Sequence, residues 1–496
     1  MTRLKALDAA FLYAETPENP MHVASLAMLD LPASYHGRFY NVYRDFLGAR
    51  IRFIDTLRRK LAPTEYDIDH PVWVEDECFD LDYHVRGIIL PAPGEFWQLE
   101  EMVARLHTDL LDRSRPLWQA IVIEGLEHGQ AALYFKVHHA EVDGMAALQL
   151  VQSLYDMAPA VQTSHVAPRQ VMPRLVPPRR LGLERVVSDF LRREIDTVHR
   201  GIELARTAAD ILLPAVEEGA SLKEIFSRQR WPKLPPIGAP RTAMNGRVGI
   251  ARSYAARSVP MEVVKKLAKA AGVKVNDVVM ALCASALRHY FKDEDALPNQ
   301  PLTAFVPINA REAAVTDSSN HVTGMFCNLA TTTRDPVLRL HEIAASAKEG
   351  KKLAGDMKSL GGDFSFAFMP VVLPALVKLA NSVNLAEHVG PVCNLIISNL
   401  QGPPVPFYCA EARVEAMYPV SALIHGIGLN ITVQSYTGRL DIGVIGDRAA
   451  LPDIGRLADY MVAAVSELAD ALLPREPAEQ PVVHQKVTRL RQKKVA

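Results

Sequence analysis

Apolar and polar positions alternate with a period that changes along the chain, and the changes mark its elements. From Gln98 to Leu111 the apolar residues Leu99, Met102, Val103, Leu106 and Leu110 fall three and four apart, which predicts a helix with one face turned inward. After Trp118 the pattern changes. Ala120 to Leu126 and Ala131 to Val137 predict two strands, with Glu127 to Gln130 as the hairpin turn between them. Asp143 and Gly144 open a helical pattern from Met145 to Met157. At Ala158 the periodicity is lost and prolines accumulate to Pro178, the composition of a linker. Leu181 to about Gln229 is helical in pattern, with mixed charge, and proline-rich Trp231 to Pro240 closes it. Beyond Asn245, Met261 to Ala271 predicts an amphipathic helix. Val275 to Tyr290 predicts a strongly apolar one with Asn276 and Asp277 at its start. Ala304 to Pro307, Asn394 to Ser398 and Leu429 to Ser435 predict strands, and Asp453 to Leu473 a closing helix.

These transitions divide the chain into a first unit at 1–157, a proline-rich and helical connector at 158–240, a second unit at 241–475 and a tail at 476–496. A length of 496 residues fits that division, at about 150 residues per domain. The tail carries Lys486, Arg489, Arg491, Lys493 and Lys494; it is a solvated end or a segment attracted to anionic lipid. Phe364 to Val377 is uncharged and apolar, interrupted by Pro370 and Pro374, which suits a buried core segment or a hairpin that contacts a membrane. No run of about 20 uncharged apolar residues occurs, so no transmembrane helix is expected. The first residues show no apolar core of signal-peptide length, so a cytoplasmic place is expected.

Charge and cysteine content narrow the function classes. Lys and Arg total 55 against 56 Asp and Glu, a net charge of −1, which removes the electrostatic footprint of a general nucleic-acid binder. The five cysteines are scattered, with no CxxC spacing, which argues against a disulfide framework or a thiolate zinc site. A GxSxG elbow, a GxxxxGK[ST] phosphate loop and an HExxH zinc helix are all missing, and Gly426-Ile-Gly428 lacks the third glycine of a dinucleotide fingerprint.

One dense cluster remains: His138-His139-Ala-Glu-Val-Asp143-Gly144, where a strand pattern gives way to a helical one. Side chains alternate across a strand, so the two imidazoles point opposite ways, one toward a crevice and one inward. Asp143 can accept backbone N–H bonds at the helix start or pair with a buried arginine. Gly144 admits close backbone approach. An imidazole titrates near neutrality and suits removal of a proton from a hydroxyl. The same residues also allow a purely structural histidine pair, or a His/Asp metal site for which no third ligand is suitably spaced.

HHxxxDG is the signature of the coenzyme-A-dependent acyltransferase superfamily, and this chain resembles one branch of it, the bacterial wax ester synthase/acyl-CoA:diacylglycerol acyltransferase family. The resemblance runs through LDAAFLYAETPENPMHVASLAMLD near the start, Arg115-Pro-Leu-Trp118, Met244-Asn-Gly246 and GVKVNDVVMALCASALRHY. It continues through Val306-Pro-Ile-Asn-Ala-Arg311, Ser398-Asn399-Leu-Gln-Gly-Pro403, Tyr418-Pro-Val420, His425-Gly426 and Ser435-Tyr436. Gln401 stands where the family commonly has proline, and Ala24 where glycine is frequent. Glu141 adds a carboxylate inside the motif that is expected to shift the nearby base upward in pKa.

The resemblance implies an α/β fold of two chloramphenicol-acetyltransferase-like domains joined by the connector, with the motif in the crevice between them. It implies transfer of a long-chain acyl group from acyl-CoA to diacylglycerol or a long-chain fatty alcohol in a ternary complex. His139 is then the general base, His138 its support, Asp143 a structural residue paired by analogy with Arg311, and Gly144 the motif's backbone position. Asn276 is the candidate oxyanion donor, a neutral amide that can donate without taking the base's proton; alternatively Asn276 and Asp277 cap their helix. Trp118 is expected in the core. Acyl-CoA is a substrate, so no cofactor and no metal are expected. The other partner is the hydrophobic alcohol, and peripheral contact with the inner membrane face or lipid inclusions is compatible with these features. Acceptor preference and oligomeric state stay open. Two other functions fit the same chain: acylation of a polyketide or glycolipid hydroxyl, and a non-catalytic lipid-body coat, against which the intact motif argues.

Overall fold

Runs of aliphatic and β-branched residues collect into three sheets in the computed structural model, which describes residues 2–4, 6–32, 35–63, 70–142, 150, 153–159, 239–308, 323–359 and 391–473. In chain order the strands are β1 (Thr2–Arg3), β2 (His22–Asp30), β3 (Arg59–Ala62), β4 (Val72–Glu75), β5 (Val85–Ile89), β6 (Trp118–Glu124), β7 (Ala131–His138), β8 (Arg252–Pro260), β9 (Thr303–Ile308), β10 (Thr323–Asn328), β11 (Leu395–Gln401), β12 (Tyr408–Cys409), β13 (Ala412–Val420), β14 (Leu429–Tyr436) and β15 (Arg439–Asp447). The helices are α1 (Ala6–Ala14), α2 (Phe39–Arg50), α3 (Leu81–His84), α4 (Phe96–Leu106), α5 (Met261–Ala271), α6 (Val275–Asp293), α7 (Pro336–Ser359) and α8 (Ile454–Leu472). One six-stranded sheet has the order β12-β13-β2-β7-β6-β5, the other β10-β9-β11-β14-β15-β8, and β1-β4-β3 form a small third sheet.

The predicted hairpin is present: β6 and β7 pair antiparallel, and the turn between them has positive φ at His128 and Gly129. The helix predicted as far as Leu111 ends at Leu106 instead. A buried lysine takes its last carbonyl and one just beyond, because Lys136 Nζ donates to the carbonyl oxygens of Leu106 at 2.9 Å and Asp109 at 2.8 Å. Leu110, left beyond the helix, is exposed.

Alternation along β2 and β7 separates two cores. Ala27, Leu29, Leu133, Phe135 and Val137 pack on one face with Phe39, Tyr43 and Leu47 of α2. Leu26, Met28, Ala132 and Tyr134 pack on the other face with Leu99 and Val103 of α4, and with Tyr254 and Ile445 from the second half of the chain. The two halves therefore share a core. A third core lies over the second large sheet, where the largely buried α6 packs with residues such as Leu457 and Met461 of α8.

The halves are also interlocked. Strands β12 and β13, which chain order assigns to the second half, complete the first sheet, with β13 antiparallel to β2 from Arg413 opposite Asp30 to Val420 opposite Ala24. Pro419 of β13 passes so close to Gly443 of β15 that a methyl group at 443 would collide with the Pro419 carbonyl oxygen. Glu100 of α4 accepts from the Ala256 N–H and from Arg257, each at 2.7 Å, and Arg448 pairs with Glu101 at 2.6 Å.

Among the described residues no single helix is long and apolar enough to cross a membrane. The pair α5 and α6 would qualify together by composition, but it is bent by 101° and most of its apolar residues lie in the core. Nearly all of the connector (160–238), the Phe364 to Val377 run and the basic tail lie outside the described residues.

Candidate active site

Strand β7 ends in His138, opposite His22 of β2. His138 shares its face with Lys136 and Tyr134, the face turned toward α4 and the second half, and it is fully buried. Its Nδ1 accepts the backbone N–H of Ala140 at 3.0 Å, so that nitrogen carries no proton. The proton is therefore on Nε2, which donates to Glu15 Oε2 at 3.1 Å. Arg113 holds the other carboxylate oxygen, with Nη2 at 2.7 Å and Nε at 3.0 Å from Oε1, and the same Nη2 donates to the Leu12 carbonyl oxygen at 2.6 Å. Burial alone would push Glu15 upward, but the His138 bond and the Arg113 guanidinium bring its pKa down to about 2.

His139 is turned the other way and is only partly buried. Its backbone N–H donates to the Met21 carbonyl oxygen at 2.8 Å, and its ring lies flat on Phe11 of α1, centroids 4.0 Å apart and planes 14° apart. Among the described residues its Nδ1 has no hydrogen-bond partner. Burial pushes its pKa below the ordinary histidine value, its own backbone carbonyl partly opposes this, and neighbouring His138 adds to the fall.

The upward shift expected from Glu141 is therefore overturned. That carboxylate is itself buried and turned away into a bond with Arg59, whose Nε lies 2.6 Å from Oε1. Burial pushes the Glu141 carboxyl up to about 8, against the pull of Arg59. A bond from the Glu141 N–H to the His138 carbonyl oxygen, 2.9 Å, closes the turn. Asp143, Gly144 and Arg311 lie outside the described residues.

Asn276 stands in the first turn of α6, partly buried, and its Oδ1 accepts from Asn399 Nδ2 at 3.2 Å. Helix capping falls to its neighbour, because Asp277 Oδ2 accepts the Lys274 N–H at 2.9 Å. The structure thus brings Asn276 to Asn399 of the Ser398–Pro403 block, in the second half, and among the described residues its amide N–H groups have no hydrogen-bond acceptor. No hydrogen bond or ring contact among the described residues joins Asn276 to either histidine. Trp118 is in the core: fully buried, its indole N–H donates to the Leu57 carbonyl oxygen at 2.8 Å and its ring stacks on His84.

The segment between α1 and β2 also touches the second half, where Arg252 donates to the Glu18 carbonyl oxygen and Arg247 lies 3.8 Å from the Glu18 carboxylate. The histidine turn consequently sits at the boundary of the two halves. Glu15, Phe11, Arg113 and Asn399 were not singled out by sequence reasoning. For Glu15 and Phe11 the available signal was their place in the LDAAFLYAETPENPMH block, and for Asn399 its place beside Ser398. Among the described residues no group of three or more His, Cys, Asp or Glu is placed to hold a metal ion.

The chain as a whole has known relatives. Residues 4–279 match the family model described as the wax ester synthase/diacylglycerol acyltransferase catalytic domain, and residues 318–469 match its C-terminal domain. The chain is 34% identical over 471 residues to a Mycobacterium tuberculosis protein named as a probable diacylglycerol O-acyltransferase, covering 94% of this chain and 98% of that one. It is 32% identical over 467 residues to the O-acyltransferase WSD of Acinetobacter baylyi, covering 93% and 95%. Among solved structures, the wax ester synthase/diacylglycerol acyltransferase from Marinobacter aquaeolei superposes with a TM-score of 0.67 at 30% identity, over 95% of this chain and all of that one. The first condensation domain of the calcium-dependent antibiotic synthetase has a similar fold, with a TM-score of 0.51 at 14% identity over 95% and 96% of the two chains.

Proposed function

The chain belongs to the wax ester synthase/diacylglycerol acyltransferase family, and from that membership and the geometry of the histidine turn we propose that it is an O-acyltransferase that moves a long-chain acyl group from acyl-CoA to diacylglycerol or a long-chain alcohol. The observation that carries the chemistry is the contrast between two adjacent imidazoles. His138 has both ring nitrogens engaged, whereas His139 is stacked, partly accessible and free of any side-chain hydrogen bond among the described residues.

His139 removes the proton from the acceptor hydroxyl as that oxygen attacks the thioester carbonyl carbon. The C–O bond forms and a tetrahedral oxyanion results. The C–S bond then breaks, and the departing CoA sulfur takes the proton back from the imidazolium. The transfer is direct. No serine or cysteine among the described residues is hydrogen-bonded to His139, and burial pushes the thiols of Cys283, Cys327, Cys393 and Cys409 upward, away from the reactive thiolate. Asn276 donates to the oxyanion, with Asn399 fixing its amide so that N–H rather than C=O is presented. The acceptor dissolves poorly in water, so it is collected from a lipid surface by peripheral contact.

General-base catalysis contributes ~10²–10⁴ in rate, so His139→Ala is expected to fold and to lose that much turnover. The assay is labelled palmitoyl-CoA with either diacylglycerol or hexadecanol, resolved by thin-layer chromatography. Near-native turnover by folded His139→Ala overturns the mechanism, and labelled ester from neither acceptor overturns the activity.

A further inference from the structure

Three constraints meet at residue 139. Its own N–H is held by the Met21 carbonyl oxygen, the next N–H along the chain is held by His138 Nδ1, and its ring is held by Phe11. Two of these three trace back to one side chain. Glu15 Oε2 accepts the His138 Nε2 proton at 3.1 Å and also lies 3.4 Å from the Met21 N–H, so the same oxygen secures the peptide on each side of the base.

The His138 bond also has a directional consequence. Nδ1 can receive the Ala140 N–H only while the ring proton resides on Nε2, and an anionic acceptor at Nε2 is what keeps it there. With the proton moved to Nδ1, two donors would face each other and the turn after His139 would open. Arg113 completes the arrangement. It holds Glu15 Oε1 and the Leu12 carbonyl oxygen together, so the carboxylate is fixed to the end of α1, the helix that also presents Phe11. Glu15 is nearly inaccessible, its side chain 4% exposed, and no role is left to it in binding substrate.

We infer that Glu15 is the positioning residue of this site: by fixing the tautomer of His138 and the Met21 peptide it sets the backbone from which His139 reaches the acceptor hydroxyl. This rests on the reading of His139 as the base.

The test uses the purified full chain with Glu15→Gln and Glu15→Ala. Gln keeps the shape and one neutral acceptor oxygen, whereas Ala removes both. A displacement of about 1 Å can cost ~10²-fold, so kcat is expected to fall roughly 10- to 100-fold, more for Ala than for Gln, with KM for palmitoyl-CoA unchanged. Nitrogen-15 histidine spectra report the tautomer directly, the His138 signals being identified by their loss in His138→Asn. The wild-type Nε2–H pattern is expected to give way to a mixture of tautomers in Glu15→Gln. A lowered Tm with native kcat per folded molecule makes Glu15 merely structural and overturns the inference, as does an unchanged His138 tautomer in Glu15→Gln. If Glu15→Ala does not fold, the Gln variant decides. Failure of the base reading gives a different signature: His139→Ala then retains turnover, while the His138 spectra still report on what Glu15 holds.

Discussion

In the proposed role His139 works only while it is neutral, and its surroundings favour that form. Burial and the adjacent His138 both push it below its ordinary value of 6.5, so the proton leaves at a lower pH than from a free imidazole. The acid limb of kcat/KM against pH is therefore expected to inflect below 6.5 and to be flat from there toward pH 8. An inflection at or above 6.5 contradicts the environment described. At this scale the opposed directions of His138 and His139 could be read from strand alternation alone. Their partners could not. Glu15 lies 123 positions before His138, and no local spacing connects residues that meet only when β2 and β7 pair. Glu141 misled for the same reason, since its proximity to His139 in sequence concealed its commitment to Arg59.

At the scale of elements, the first turn of α6 separates two roles that sequence left joined. Asp277 accepts the Lys274 N–H and stabilises the helix start, so Asp277→Ala is expected to cost ~0.5–2 kcal/mol and lower Tm while folded enzyme keeps its kcat. Asn276→Ala should leave Tm unchanged and lower kcat by ~10²–10³, the loss expected for an oxyanion donor. Thermal melts alongside turnover distinguish the two, and the reverse pattern would exchange the assignments. Helices with a clean apolar stripe were readable, and Met261–Ala271 has the limits its periodicity predicts. Strands β13 and β15 were not. Pro419 interrupts one and Gly443 the other where the two sheets approach closely, and Gly446 makes room for Leu451 and Ile454, demands that no single strand's pattern expresses.

For the whole molecule, the contact between Pro419 and Gly443 makes the sheets depend on each other. Gly443→Ala forces the backbones apart and is expected to destabilise by ~1–3 kcal/mol, or more if the strands cannot shift. In urea the unfolding midpoint should fall with both halves melting together, because they share a core. An unchanged midpoint would mean that the sheets have room to spare. Proline content suggested a connector at 158–240, nearly all of which lies outside the described residues. That β13, within the expected second unit at 241–475, joins the first sheet was not legible, because sheet membership depends on pairing across several hundred residues.

That returning strand sets a timetable for synthesis. When β2 leaves the ribosome, its neighbour β13 has not yet been translated, and the wait lasts roughly 20 to 80 s at ~5–20 residues per second. Throughout that interval the nascent first sheet presents a raw edge to every other chain nearby, a hazard that chaperone binding would relieve. Maturation of the histidine turn is thereby timed by the last third of the polypeptide, although every residue of the turn itself is made in the first.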